Sequence, residues 1–454
     1  MTPRIDEKFG RRDSQPAIKI RAAAIKALEL IIRWRKISSL VLPKTADRFE
    51  LSGRDRSMFY NLVFGVLKNI IFLDYILLKL LSSGRYPSFY GSMALRLGAY
   101  QLAMTDIPQY AAVDSTVEAL RSLGAHPKEL ALVNAVLRKF AEKWREISLP
   151  EDKVAFLSVK YSHPEWIVER WLRRYGAKMT EQILSANNAI PPKTFRINTL
   201  KVSVEGFKDW VKTSGYEIED TVFAEYFNLL SDVAAGEFEP QKRGLVSVQD
   251  AAFGIPIRLL DPKPGELILE VGAAPGGKTT QIVEWLGGNI KNFFAIDNVH
   301  QRNLLIVENI ERLGHPRPHI ITADGTRPPF KKRLFDKVFI DAPCTSWGVV
   351  RRHPEIKIFR KEDDEPKLRR LQKDLVGAAF RMLKRGGLLV FTTCTTEPEE
   401  NQGAVELMIK LGMKLLPVNE AIPEQFVEAE GLIARTWVHK HDLDGSFTVV
   451  ARKE

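Results

Sequence analysis

The stretch ILEVGAAPGGKTTQ (268–281) constrains this chain more than any other. A short apolar run ends at Val271, a glycine-rich turn runs from Gly272 to Gly277, and helix-forming residues follow at once. A strand that passes through such a turn directly into a helix is the opening unit of a parallel α/β sheet. Without a Cβ, the glycines let the backbone approach a ligand closely. The helix start adds free N–H groups and the positive end of its dipole. The turn can therefore cradle a phosphate or the carboxylate of a methionine moiety. By letter, GAAPGGKT (272–279) also fits the phosphate-loop pattern GxxxxGK[ST], with Lys278 and Thr279 in place. That reading would require phosphate transfer and a strand-end aspartate holding Mg²⁺. The dinucleotide pattern GxGxxG is not matched.

The strands that follow discriminate. From about residue 246, apolar runs alternate with helical stretches at 267–271, 293–297, 319–324, 337–341 and 387–394, and two alternating runs flank Asp444–Gly445 as a closing hairpin. Five parallel strands plus a hairpin define an α/β fold, similar to the Rossmann-like methyltransferase sheet rather than the six-strand dinucleotide order. Three of these strands end on aspartate: Asp297, Asp324 and Asp341. Strand C-termini line the ligand crevice of an open α/β sheet. Asp297 suits a pair of ribose hydroxyls and Asp324 an adenine edge. Three carboxylates would repel a triphosphate and tolerate a sulfonium, which favours S-adenosylmethionine over ATP. Arg302, five residues past Asp297, is placed to pair with it or to reach the substrate.

The rest of the chain divides by pattern. Residues 1–150 read as an all-helical domain, 151–245 as a small α/β connecting subdomain, and 246–454 as the catalytic domain. The net charge is +11. Residues 1–150 hold 24 Lys and Arg against 14 Asp and Glu, so nearly all of the excess lies in the helical third. A basic surplus points to a polyanion, nucleic acid or an anionic membrane, and its place in the helical third suits an RNA-contacting module. Two cysteines can build neither a disulfide framework nor a cysteine-rich zinc site, and no other metal site is indicated. The opening MTPRIDEKFGRRD lacks the apolar run of a signal peptide. The most apolar region, Asn69–Leu81, is interrupted by Asp74 and Lys79 and reads as too short to span a bilayer. The expectation is a cytoplasmic, soluble monomer.

Cys344 and Cys394 both fall at predicted strand ends on the crevice side, and Asp341 stands three residues before Cys344. Carbon 5 of cytosine is too weak a nucleophile to take a methyl group unaided. A thiolate adding to carbon 6 makes it enamine-like, so an activated cysteine is needed. Chemistry alone leaves either cysteine as the nucleophile. Asp-Ala-Pro-Cys also lacks the aromatic platform that exocyclic-amine methyltransferases carry at this strand.

The chain resembles the Sun (Fmu, RsmB-like) family of RNA cytosine carbon-5 methyltransferases. The resemblance rests on SHPEWIVERW, FRINTL (195–200), SVQDAA (247–252), GAAPGGKTT, AIDNVHQR, ADGT, DAPCTSWGVVRRHPEIK (341–357) and FTTCTTEPEEN (391–401). Residues 1–150 resemble a NusB-like RNA-associated domain through DRSMFYNLVFGVLKN, IPQYAAVDSTVEAL and VNAVLR (133–138). The resemblance implies that Gly272, Ala273, Ala274, Pro275, Gly276, Gly277 and Lys278 hold the methionine part of the cofactor, with Asp297 on the ribose and Asp324 on the adenine. Asp341 would lie between cofactor and base. Cys394 would be the nucleophile, and Cys344 would assist elimination. Gly272 stands where many members carry Cys. The implied partner is RNA, ribosomal before transfer RNA, with Arg196, Lys201, Arg351 and Arg352 as candidate contacts. A phosphate-loop nucleotidase and a non-catalytic RNA-binding assembly factor are the alternatives from other classes.

Overall fold

The computed structural model describes residues 16–454. The segment bearing on the signal-peptide expectation lies outside the described residues. The chain forms two compact units: one runs up to Ala189 and adds Val233–Gly236 and Val350–Phe359, and the other comprises Ile190–Asp232, Glu237–Val349 and Arg360–Glu454.

The first unit is helical. Pro16–Leu28, Ser38–Arg48, Gly53–Leu80, Phe89–Met104, Gln109–Ser122 and Pro127–Lys143 pack around Ala23, Ile25, Phe59, Val66, Leu95 and Phe140, all with no exposed surface. Asn69–Leu81 belongs to a longer helix than its local composition suggests. Gly53–Leu80 has 28 residues and is long and apolar enough to cross a membrane by composition, yet half of its most apolar window is buried within the protein. Inside it Lys68 is buried and donates to the carbonyl of Ala189 at 2.8 Å. Helices Lys153–Tyr161 and Glu165–Asn188 pack here too: the Ser162 hydroxyl accepts from Ile71 N at 2.8 Å. The packed unit thus extends past the change of sequence pattern at residue 150. It also incorporates the segment Val350–Phe359. There Glu355 accepts from Ser38 N and Oγ at 3.0 and 2.9 Å, and Lys357 Nζ donates to Lys68 O at 2.9 Å.

The second unit holds two sheets. In the smaller, β1 (Thr194–Ile197), β2 (Ile218–Asp220), β3 (Tyr226–Leu229) and β4 (Val246–Val248) run antiparallel in the order β2-β3-β1-β4. Phe195, Phe207, Phe227 and Phe238 form its aromatic core. The larger contains β5 (Ile268–Val271), β6 (Phe293–Asp297), β7 (His319–Thr322), β8 (Phe335–Asp341), β9 (Leu383–Thr393), β10 (Met413–Leu416), β11 (Val427–Glu428), β12 (Ile433–Thr436) and β13 (Ser446–Lys453). The five parallel strands lie in the order β7-β6-β5-β8-β9, and β13 joins antiparallel beside β9. Apolar clusters cover both faces, as a buried parallel sheet requires. This is the expected α/β methyltransferase-type sheet. The C-terminal hairpin is looser than a turn at Asp444–Gly445 would make it. β12 and β13 do pair, with Ala434 opposite Thr448, but the connection includes the helical turn Val438–His441.

Candidate active site

The glycine turn is shaped by contact as well as by conformation. Gly272 follows β5 with φ of +78°, and a Cβ there would stand 2.4 Å from the carbonyl oxygen of Asp341. The turn closes on itself, Gly276 N donating to Ala273 O at 2.8 Å, and the helix Gly277–Trp285 starts with no side-chain cap. Its first-turn N–H groups therefore face the crevice without a side-chain acceptor, as a carboxylate-binding cradle needs.

Two of the three strand-end acids, Asp297 and Asp341, meet this turn. Asp297 is buried at the end of β6, where its carboxylate accepts from Val299 N at 3.1 Å and Ala274 N at 3.4 Å. Arg302 pairs with it at 3.4 Å and donates to Ala274 O at 2.9 Å, so this arginine braces the turn. Asp324 is exposed just beyond β7. The backbone and hydroxyl of Thr326 donate to it at 2.9 and 2.8 Å and hold its carboxyl below the usual carboxylate range. Asp341 ends β8, and its Oδ2 accepts from Lys278 Nζ at 2.7 Å. Burial lowers the Lys278 pKa, but the charge and hydrogen bond of Asp341 outweigh it and hold the ammonium above its ordinary value.

Beside this ion pair, Cys344 Sγ and Cys394 Sγ are 3.4 Å apart. Both are free thiols, Cys344 buried and Cys394 partly exposed. The two thiols differ in acidity. The hydrogen bond to Cys394, then burial, pushes the Cys344 thiol well up. The hydrogen bond from Cys344 brings Cys394 below the ordinary thiol value against the pull of burial, with Ser346 and Lys278 assisting and Asp341 opposing. Cys394 is thus the more acidic of the two thiols and also the more accessible sulfur. This arrangement can deliver a thiolate to an electrophilic carbon while a neighbouring S–H stands ready for its departure.

Glu400 ties the two cysteine loops together. It is wholly buried and accepts from Thr345 N at 2.9 Å, from Gln372 Nε2 at 3.1 Å, from Thr395 Oγ1 at 3.2 Å and from the Thr345 hydroxyl. Arg360 donates to the carbonyls of Cys344 and Thr345 at 2.8 and 3.0 Å. Sequence reasoning passed over Glu400, although it lies in the quoted FTTCTTEPEEN stretch. It also missed Glu270, whose carboxyl is buried in β5 one turn of chain before the cradle. Neither of its oxygens has a hydrogen-bond partner of good geometry. Burial pushes its pKa up to about 8, which the nearby Thr279 hydroxyl only partly offsets.

Two of the four arginines and lysines expected on RNA are in the wrong place for it. Arg196 is 1 % exposed. Its guanidinium runs from β1 to the cofactor helix, donating to Gly277 O at 2.8 Å, to Thr280 Oγ1 at 2.9 Å and to Glu284 Oε1 at 2.9 Å. Arg351 is likewise 1 % exposed. Lys201 is exposed and Arg352 is half-buried.

Family models match three stretches: 16S rRNA methyltransferase RsmB/F at residues 257–451, the NusB family at 18–142, and the ferredoxin-like domain of RsmF/B-like methyltransferases at 163–231. The probable ribosomal RNA small subunit methyltransferase B of Bacillus subtilis is 33% identical over 446 residues, covering 96% of this chain and 99% of that one. Ribosomal RNA small subunit methyltransferase B of Yersinia enterocolitica is 33% identical over 399 residues, covering 86% and 90%. The crystal structure of PH0851 superposes with a TM-score of 0.85 at 26% identity, over 98% of this chain and 100% of that one. NSun6 from Pyrococcus horikoshii, solved with SFG, shares the fold at a TM-score of 0.56 and 24% identity, over 64% of this chain and 98% of that one.

Proposed function

Because this chain belongs to the RsmB/F family of 16S rRNA methyltransferases, we propose that it methylates carbon 5 of a cytosine in small-subunit ribosomal RNA through a covalent adduct on Cys394. It is an S-adenosylmethionine-dependent enzyme. The observation that carries the covalent reading is the cysteine pair, 3.4 Å apart beside the Lys278–Asp341 ion pair.

In this reading Gly272 to Lys278 cradle the methionine part of the cofactor, Asp297 takes the ribose hydroxyls, Arg302 braces that carboxylate, and Asp324 meets the adenine. When bound, S-adenosylmethionine supplies the electrophilic methyl group. The uncapped first turn of helix Gly277–Trp285 fits such a ligand. The phosphate-loop alternative fits less well, since Lys278 is engaged by Asp341. The target cytosine leaves its stack to enter the crevice. Asp341 hydrogen-bonds the base, and Lys278 keeps its carboxylate in place. The Cys394 thiolate adds to carbon 6, and the electron pair displaced toward carbon 5 makes that carbon the nucleophile. After methylation, water in the crevice takes the carbon-5 proton, the C5–H electron pair re-forms the C5=C6 double bond and expels the thiolate, and the Cys344 S–H assists its departure.

The helical first unit is the RNA-holding part, with Trp34, Arg35 and Lys36 on its basic exposed surface. The enzyme acts as a cytoplasmic monomer. Methyl transfer from labelled cofactor to unmodified small-subunit RNA tests the chemistry. Cys394→Ala should reduce turnover to background, and Cys344→Ala should accumulate an RNA–protein adduct that survives denaturing electrophoresis. Wild-type turnover by Cys394→Ala would sink the proposal.

A further inference from the structure

Ser346 stands two residues beyond Cys344 with φ of +66°, in the left-handed region. A serine there is strained, whereas glycine adopts that conformation freely and asparagine tolerates it. Strain kept at a reactive centre suggests that the side chain has a use. The Ser346 hydroxyl lies 3.7 Å from Cys344 Sγ and 3.3 Å from the carbonyl oxygen of Cys344. That carbonyl also accepts from Arg360 at 2.8 Å, so the hydroxyl sits within reach of both the carbonyl and the sulfur. The loop is rigid at this point. Trp347 is 1 % exposed, and Gly348 N donates to Cys394 O at 3.0 Å, so residue 346 is pinned between the two cysteine loops.

We infer that Ser346 is a positioning residue whose hydroxyl, set against Cys344, polarises the Cys344 S–H toward Cys394 and so completes a row Ser346–Cys344–Cys394 that favours the thiolate on Cys394. The inference rests on Cys394 being the nucleophile. The charged and titratable groups facing the pair are Lys278 from the cofactor helix, Asp341 from β8, Glu400 from the helix Pro398–Lys410 and Arg360 from the chain after Phe359. Asp341 and Glu400 disfavour a thiolate here, and Lys278 alone is also committed to Asp341. A neutral donor adds stabilisation without a further charge. In keeping with that, Ser346 lowers the pKa of both thiols.

The test is pH-dependent alkylation by iodoacetamide of the wild type, Ser346→Gly, Ser346→Ala and Ser346→Asn, with peptide mapping to assign each rate to Cys344 or Cys394. Weakening the Cys344 S–H as a donor to the Cys394 thiolate should raise the apparent Cys394 pKa by about one unit and slow alkylation at neutral pH about tenfold. In Ser346→Gly, kcat should fall by a similar factor at neutral pH and recover at alkaline pH, with KM for RNA unchanged. Ser346→Asn, which restores a donor, should recover part of the loss. Because glycine relaxes the backbone, its Tm should not fall, which separates this effect from damage to the fold. An unchanged pH profile in Ser346→Gly would overturn the role of the hydroxyl while leaving Cys394 as nucleophile. A low-pKa thiol that maps to Cys344 in the wild type would overturn the nucleophile assignment itself, and this inference with it.

Discussion

Thr345 and Glu400 are joined twice, backbone N–H at 2.9 Å to one carboxylate oxygen and hydroxyl to the other. Thr345 follows Cys344, and the other hydroxyl on Glu400 belongs to Thr395, which follows Cys394. One buried carboxylate therefore sets the spacing of two sulfurs that it does not touch. The cysteine pair is a product of two loops, and its 3.4 Å separation depends on what ties those loops together.

Glu400→Ala should accordingly loosen the pair before it disturbs the cofactor turn. Removing the acceptor strands the Thr345 N–H in a dry site and takes one bond each from Thr345, Thr395 and Gln372, which keep only each other and the Pro343 carbonyl. We expect unfolding stability to drop by about 2–4 kcal/mol and kcat to fall at least about tenfold, as a small misplacement of a nucleophile does. KM for S-adenosylmethionine should stay near the wild-type value. Steady-state kinetics with both substrates and urea unfolding check this, and an unchanged kcat would show that the clamp is not needed for cysteine spacing.

Much of this was legible in the chain because parallel strands are buried on both faces. β6 (FFAID) and the last residues of β8 (VFID) and β9 (LLVFTT) are apolar runs ended by a polar residue at the crevice, so these strand positions and the line of Asp297 and Asp341 follow from letters alone, while β5 breaks the pattern with Glu270. Long-range partners were not legible. Arg196 reads as a surface cation, because nothing nearby in the chain announces Glu284, 88 residues away, as its buried partner. A left-handed φ at Ser346 leaves no trace in composition or periodicity. Helices Lys153–Tyr161 and Glu165–Asn188 were assigned by pattern to a separate connecting part, whereas their packing against Gly53–Leu80 is settled by contacts such as Ser162 to Ile71 N.

The burial of Arg196 predicts a stability phenotype rather than a binding one. Arg196→Ala strands Glu284 in a site where its side chain is 3% exposed. Breaking one side of a buried pair typically costs about 3–5 kcal/mol, mostly from the charge left behind. The double variant Arg196→Ala, Glu284→Gln should regain a substantial part of that. Urea unfolding of the single and double variants measures it. RNA affinity of the folded Arg196→Ala protein should match the wild type, and a specific loss of affinity would restore the arginine to the RNA-contact group.

Glu270 predicts a pH dependence. Its folded-state pKa of about 8 lies above the ordinary 4.5, with burial the main cause and Asp341 and Asp297 adding to it. Between those two values the folded chain keeps a proton that the unfolded chain has released, so the linkage slope is negative. Stability should fall as pH rises from about 4.5 to 8 and then level off. Glu270→Gln removes this component. It should be more stable than the wild type at alkaline pH by about 2–5 kcal/mol, with the gain vanishing at acid pH. Thermal unfolding across pH reads the difference, and parallel curves for the two proteins would mean that the carboxyl is solvated.

The proposed RNA-holding role of the helical unit predicts a particular salt response. Trp34 is 46% exposed in the loop between two helices, the Arg33 guanidinium lies over its ring, and Lys36 is exposed beside it. The neighbouring Arg35 is held by the Phe359 carbonyl at 2.7 Å, so the loop is set before any RNA arrives. An exposed aromatic ring among cations suits a stacked base with flanking phosphates. Trp34→Ala should weaken RNA binding by about 1–3 kcal/mol without changing its salt slope. Lys36→Ala should lower the slope of log affinity against log salt by about one, as loss of a single phosphate contact does. Both residues are surface positions, so Tm should hold. Filter binding over a salt series separates the two effects. If both variants bind as the wild type does, the RNA path does not cross this loop.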